Sequence, residues 1–128
     1  MTPRIAVFEP TASVLRLFHA LLKVEGFQTS LYQETFKQLS QIPTPPPHLI
    51  IVSDIRGYMP DELHTLYTLR TFPAIRHIPL LICTTGYVDD EILKLLYPTA
   101  RLSMPFSKQG LINAVHELLH YVPARSGE

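Results

Sequence analysis

Two hydrophobic rhythms alternate along this chain. Short runs of consecutive apolar residues, each the length of a strand, are separated by stretches where apolar residues recur every third or fourth position. Arg4 to Phe8 reads as a first strand. Ala12 to Glu25 then sets Val14, Leu17, Phe18, Leu21 and Leu22 at helical spacing, and Gly26 stands where a helix C-terminus wants left-handed backbone. Phe27 to Leu31 is a second, weaker strand and Glu34 to Gln41 a short helix. The stretch Pro43-Thr44-Pro45-Pro46-Pro47 cannot be helix interior or central strand, so it predicts an extended linker. Leu49 to Ser53 is the most apolar strand.

Beyond it, Asp61 to Phe72 predicts a helix with Leu63, Leu66 and Leu69 near one stripe. His77 to Cys83 is the fourth strand, Asp89 to Leu96 a short helix, and Leu102 to Met104 a brief fifth strand ending at Pro105. Lys108 to Tyr121 sets Leu111, Val115, Leu118 and Leu119 on one face, and the polar tail from Pro123 is expected to fray. Strand and helix alternating in this way imply a parallel sheet with helices on both faces and right-handed crossovers.

Composition narrows the classes. The chain has 128 residues, enough for one domain with a substantial core. Apolar residues make up 46%, charged residues 17%, and the formal net charge is zero, which fits a packed globular protein and not a disordered one. Lysine and arginine are scattered, so nothing favours nucleic-acid or membrane binding. Cys83 is the one cysteine, excludes an intrachain disulfide, and reads as core. The N-terminus runs directly into RIAVF without a charged leader, and no segment is apolar enough to span a membrane, so a cytoplasmic location is expected.

The candidate chemistry begins in LIIVSDIRGYMP, Leu49 to Pro60, which puts a carboxylate at the carboxyl end of a buried strand. That is where open α/β sheets bind ligands. Three further segments join it. IAVFEPTASVLRLFHALLKVEGF forms the first strand and helix, IPLLICTT ends the fourth strand in hydroxyl residues, and MPF closes the fifth. Taken in order, these four resemble the receiver domain of bacterial response regulators over about Arg4 to Tyr121. The resemblance implies a flavodoxin-like doubly wound fold, three layers deep, with five parallel strands in the order 2-1-3-4-5. Residues 1–122 are then a receiver-like domain and 123–128 a polar C-terminal tail.

Receivers move a phosphoryl group onto a carboxylate, with magnesium to gather phosphate oxygens and fixed donors for the developing charge. By resemblance, the acidic pair after the first strand falls on Glu9 and Pro10, the hydroxyl of the fourth strand on Thr84, and the lysine of the fifth on Met104. Pro10 offers no carboxylate, and Met104 reads as an apolar plug in the space of the lysine stem. The acceptor has two registers. Counting from Pro47-His48 puts it on Ser53. The SDIR pattern puts it on Asp54, which is favoured because a bulge at a strand end absorbs one residue. The aromatic switch residue of the family is replaced by Arg101.

The implied function is a signalling module and not an enzyme. It is expected to be a degenerate receiver (a pseudo-receiver) in a two-component or phosphorelay system, acting through protein contacts with a histidine kinase, an output domain or a second copy. Arg101 would lie on its partner surface. No cofactor is expected, or only weak Mg2+ on Glu9 and Asp54. One alternative is a phosphorylatable receiver accepting on Asp54. The other is a small flavodoxin-like cofactor-binding protein, for which Thr11 and Ser13 make a poor phosphate loop beside Pro10 and Ala12. His116 and His120, four apart on the last helix, have a metal-binding spacing but no evident third ligand.

Overall fold

The computed structural model describes residues 2–33, 46–55, 60–73, 75–86, 88, 90–96 and 98–120, with the side chains of 54, 60–63 and 65 outside the description. Five strands, β1 (Arg4–Phe8), β2 (Gln28–Tyr32), β3 (Leu49–Ile55), β4 (Leu80–Thr84) and β5 (Thr99–Ser103), form one parallel sheet in the order β2-β1-β3-β4-β5. The described helices are α1 (Ala12–Val24), α2 (Pro60–Thr71), α3 (Asp90–Leu95) and α4 (Lys108–Leu119). This is the flavodoxin-like order expected from the sequence.

The three layers follow from strand geometry. Successive side chains of a strand point to opposite faces. Ile5, Val7, Leu49, Ile51, Leu81 and Cys83 therefore share one core with Leu15, Phe18 and Leu22 of α1 and Leu111, Ile112, Val115 and Leu118 of α4. Their neighbours Ala6, Phe8, Ile50, Val52, Leu80 and Ile82 face the other way, against Leu66 and Leu69 of α2 and the partly buried Ile92 and Leu93 of α3. Because both faces are covered, β1, β3 and β4 read as unbroken apolar runs. Burying one such side chain contributes about 1.5–3 kcal/mol.

The ends of α1 are set locally. Gly26 takes φ +91°, the Gly26 N–H donates to the Lys23 carbonyl at 2.9 Å and the Phe27 N–H to the Leu22 carbonyl at 3.0 Å. Those two bonds make a Schellman ending, and Phe27 and Leu22 supply the apolar contact that accompanies it. Leu15 takes the buried place that periodicity assigned to Leu17, which is 48% exposed. At the far end of the chain, Ser107 caps α4 by accepting from the Gly110 N–H at 2.9 Å.

Several boundaries shift from their expected places. β2 begins at Gln28, one residue late, because Phe27 turns into the α1 side of the core. β4 begins at Leu80, after the turn through Ile75 and Ile78 (Ile78 N–H to Ile75 carbonyl, 3.0 Å). β5 occupies the polar TARLS, earlier than Leu102–Met104, because a sheet edge is half exposed and needs no apolar run. Arg70 ties these turns together. Its guanidinium donates to the carbonyls of Leu96 (2.7 Å), Ile78 (3.1 Å) and Pro98 (3.0 Å), which holds the end of α2 against the entries to β4 and β5. The expected helix Glu34–Gln41, most of the proline linker and the tail from Pro123 lie outside the described residues.

Candidate functional site

At the carboxyl rim of the sheet the apolar pattern stops. Glu9, Ser53 and Thr84 are the buried polar or charged side chains among the described residues, at 2%, 3% and 1% exposure. Each lies at the carboxyl end of a strand in the sheet's central trio: Glu9 directly after β1, Ser53 near the end of β3, Thr84 last in β4. The fold delivers them to one edge because all strands run parallel.

Two of them are bonded. The Ser53 hydroxyl donates to Glu9 Oε1 at 3.2 Å and lies 3.5 Å from the Met104 sulfur. A hydroxyl has one proton, and a carboxyl oxygen is a much better acceptor than a thioether, so the bond goes to Glu9. Met104 then closes over it, partly buried against the α1 and α4 side of the core. The other carboxyl oxygen of Glu9 accepts the Thr11 N–H at 3.3 Å, and the Glu9 N–H donates to the Tyr32 carbonyl at 2.9 Å. Residues expected from sequence at three separate places, Glu9, Ser53 and Met104, thus meet across β1, β3 and the end of β5.

Strand register explains why Ser53 is the one that meets them. Phe8 pairs with Val52, so Ser53 stands beside Glu9. Val52 pairs with Ile82 but Ile55 pairs with Thr84, so Ser53 and Asp54 together oppose Cys83. This is a β-bulge, an extra residue that re-aims the side chains around it. It falls at the strand end where the two acceptor registers diverge. The backbone of Asp54 lies in the bulge, and its side chain is outside the described residues.

Thr84 differs from its neighbours. Its hydroxyl is buried and has no hydrogen-bond partner among the described residues, while its carbonyl accepts the Met104 N–H at 2.7 Å. The thiol of the adjacent Cys83 is pushed up to about 12, first by burial and then by the nearby Glu9. That keeps it protonated and inert, as expected of a core cysteine. The Met104-Pro105 peptide is cis. On β5, Arg101 pairs in register with Ile82, and its guanidinium donates to the Val88 carbonyl at 2.8 Å and approaches Asp90 at 3.7 Å. It spans from the edge strand to the loop that follows β4, a link between residues thirteen apart that no local pattern announces.

Magnesium, implied by the resemblance, wants hard oxygen ligands around an open octahedron. Among the described residues the rim supplies one carboxylate, Glu9, and both of its oxygens already accept hydrogen bonds. No group of three or more His, Cys, Asp or Glu able to hold a metal occurs among the described residues. The described residues do not by themselves make a magnesium site. Nor is any described helix long and apolar enough to cross a membrane.

No protein-family model matches the chain, and no curated protein matches it in sequence. Solved structures do. The chemotaxis protein CheY4 of Vibrio cholerae superposes with a TM-score of 0.78 at 15% identity, over 92% of this chain and 99% of that one. A CheY-like receiver domain protein from Methanospirillum hungatei gives 0.74 at 17% identity, over 93% and 94% of the two chains. The receiver domain of the Francisella response regulator 1452 gives 0.75 at 21% identity, over 92% and 97%. Over nearly its whole length the chain has the fold of CheY-like receiver domains.

Proposed function

We propose that this chain is a receiver-like signalling domain whose rim pocket takes no part in phosphoryl transfer and whose signal passes through protein–protein contacts. The observation that carries the reading is the bond from Ser53 to Glu9 under Met104. A serine stands beside the acidic residue of β1, and a thioether stands where the resemblance implies a lysine. A charge-assisted bond to a phosphate oxygen contributes about 1.5–3 kcal/mol, and a thioether supplies none of it. Partners of the expected kind are a histidine kinase, an output domain or a second copy, in the cytoplasm. The zero net charge favours no role in nucleic-acid binding.

In a working receiver a bound phosphoryl group shifts the population between two packings of the face around the last strand and its flanking helices. Here that face carries Arg101, fixed to Val88 and Asp90. With the pocket closed at one end and the switch position tied at the other, the chain stays in one packing and offers β5, α3 and α4 as a constitutive docking surface.

A second reading has its own support. The bulge holds the backbone of Asp54 next to Ser53, and Thr84 near the strand ends holds a buried hydroxyl without a partner among the described residues. Both suit a receiver that accepts a phosphoryl group on Asp54. Incubation with magnesium and acetyl phosphate, followed by intact mass measurement, separates the two. No phosphoryl adduct is expected. An adduct on the wild-type chain that Asp54→Asn abolishes would move the second reading ahead.

A further inference from the structure

α4 carries two histidines that neither the core nor the rim uses. His116 and His120 are both exposed, and their rings stack, with centroids 6.0 Å apart and planes 15° from parallel, so a turn of the His120 ring is what brings both imidazoles onto one ion. We propose that this pair is a bidentate site for a borderline divalent cation of the zinc, copper and nickel class. The site is independent of the rim pocket and of the signalling reading.

Four observations support the assignment. Histidines at positions i and i+4 of a helix project together, which is the geometry by which a helix presents two imidazoles to one metal ion. The backbone keeps that geometry to its end, since the His120 N–H donates to the His116 carbonyl at 3.1 Å. The His116 ring also rests on Phe27, 5.6 Å between centroids, and Phe27 is buried in the core. That contact restricts the first imidazole before any ion arrives, so less ordering is required on binding. Finally, the pair sits at the C-terminal end of α4, with His120 as its cap, where the helix dipole favours a cation. Imidazole nitrogen is the donor that zinc, copper and nickel accept readily, whereas magnesium prefers oxygen. The remaining coordination positions belong to water.

The chain's other histidines supply an internal control. Of six in all, His19 bonds Thr29 at 2.6 Å, His48 accepts the Arg4 N–H at 2.9 Å, and His77 faces the Arg76 guanidinium at 3.2 Å. None of these three is paired with a second imidazole in those contacts. The test is an imidazole NMR titration of the full chain, free of any polyhistidine tag, with zinc chloride alone. The His116 and His120 ring signals should shift saturably below about 1 mM zinc, with His19, His48, His64 and His77 unmoved. His116→Ala and His120→Ala should each weaken binding at least about tenfold, since a lone imidazole loses the chelate. Both positions are exposed, so unchanged core signals in the variants show that the fold is kept. Copper should bind more tightly than zinc. Ring signals that stay still up to about 1 mM zinc, six histidines that shift together, or a single variant that binds like wild type would each overturn the site.

Discussion

The middle of the sheet and its carboxyl rim are built on the same strands under opposite rules. In the middle, Ile50, Ile51, Leu80 and Leu81 are fully buried and alternate between two apolar cores, so every position is decided by packing. At the rim, a few residues further along, Glu9, Ser53 and Thr84 are nearly as deeply buried yet polar. Burying a polar group is costly unless it is hydrogen-bonded. Glu9 and Ser53 meet that cost with each other, and the hydroxyl of Thr84 finds no partner for it among the described residues. Packing therefore decides the residues of the middle, and hydrogen bonding decides Glu9 and Ser53 at the rim.

The largest loss is expected in the middle of the sheet. Leu81→Ala removes a fully buried side chain from the α1 and α4 side of the core and should cost about 2–5 kcal/mol in chemical denaturation. A loss below about 1 kcal/mol would mean the core is not closely packed there. Ser53→Ala acts at the rim, where it leaves a buried Glu9 oxygen without its hydroxyl donor. It should cost about 1–3 kcal/mol, with amide shifts spreading to Met104. A neutral result would remove the Ser53–Glu9 bond from the account. Thr84→Val has the opposite sign. It replaces a buried hydroxyl that has no partner among the described residues by a methyl of the same shape, so the unfolding free energy should rise by roughly 1 kcal/mol in chemical denaturation.

A further effect is expected in alkali. With the Cys83 thiol raised from 9.0 to about 12 in the folded chain, the thiol is protonated in both states below pH 9 and contributes no pH dependence there. Between pH 9 and about 12 the unfolded chain gives up the proton while the folded chain keeps it. Stability should fall as pH rises through that window, less steeply in Cys83→Ala. At neutral pH the thiol should react with iodoacetamide only after unfolding. Prompt labelling of the native chain would contradict its burial.

How much of this was legible in the sequence follows the same division. The middle was readable because buried strands are written as unbroken apolar runs, so RIAVF, LIIV and LLIC announced β1, β3 and β4. β5 was misplaced because an edge strand, TARLS, carries no such run. On α1, Leu15 and Leu17 are both apolar and helical spacing alone admits either, so the choice was made by the neighbouring helix and sheet. The rim was readable only as a set of positions. Counting from Pro47-His48 puts the acceptor on Ser53 and the SDIR pattern puts it on Asp54, because a bulge between Val52 and Ile55 leaves no mark in composition. Nothing in the sequence joins Ser53 to Met104, 51 residues away, before the sheet brings their strand ends together.

The most direct measurement is an amide NMR titration of wild type and Asp54→Asn with magnesium, then with magnesium and beryllofluoride. No saturable shifts are expected at Glu9, Ser53 or Thr84 at millimolar magnesium, and no change on the face of β5 and α4 when beryllofluoride is added. Saturable shifts at those residues that Asp54→Asn abolishes would contradict that expectation and would make the rim a working phosphoryl site.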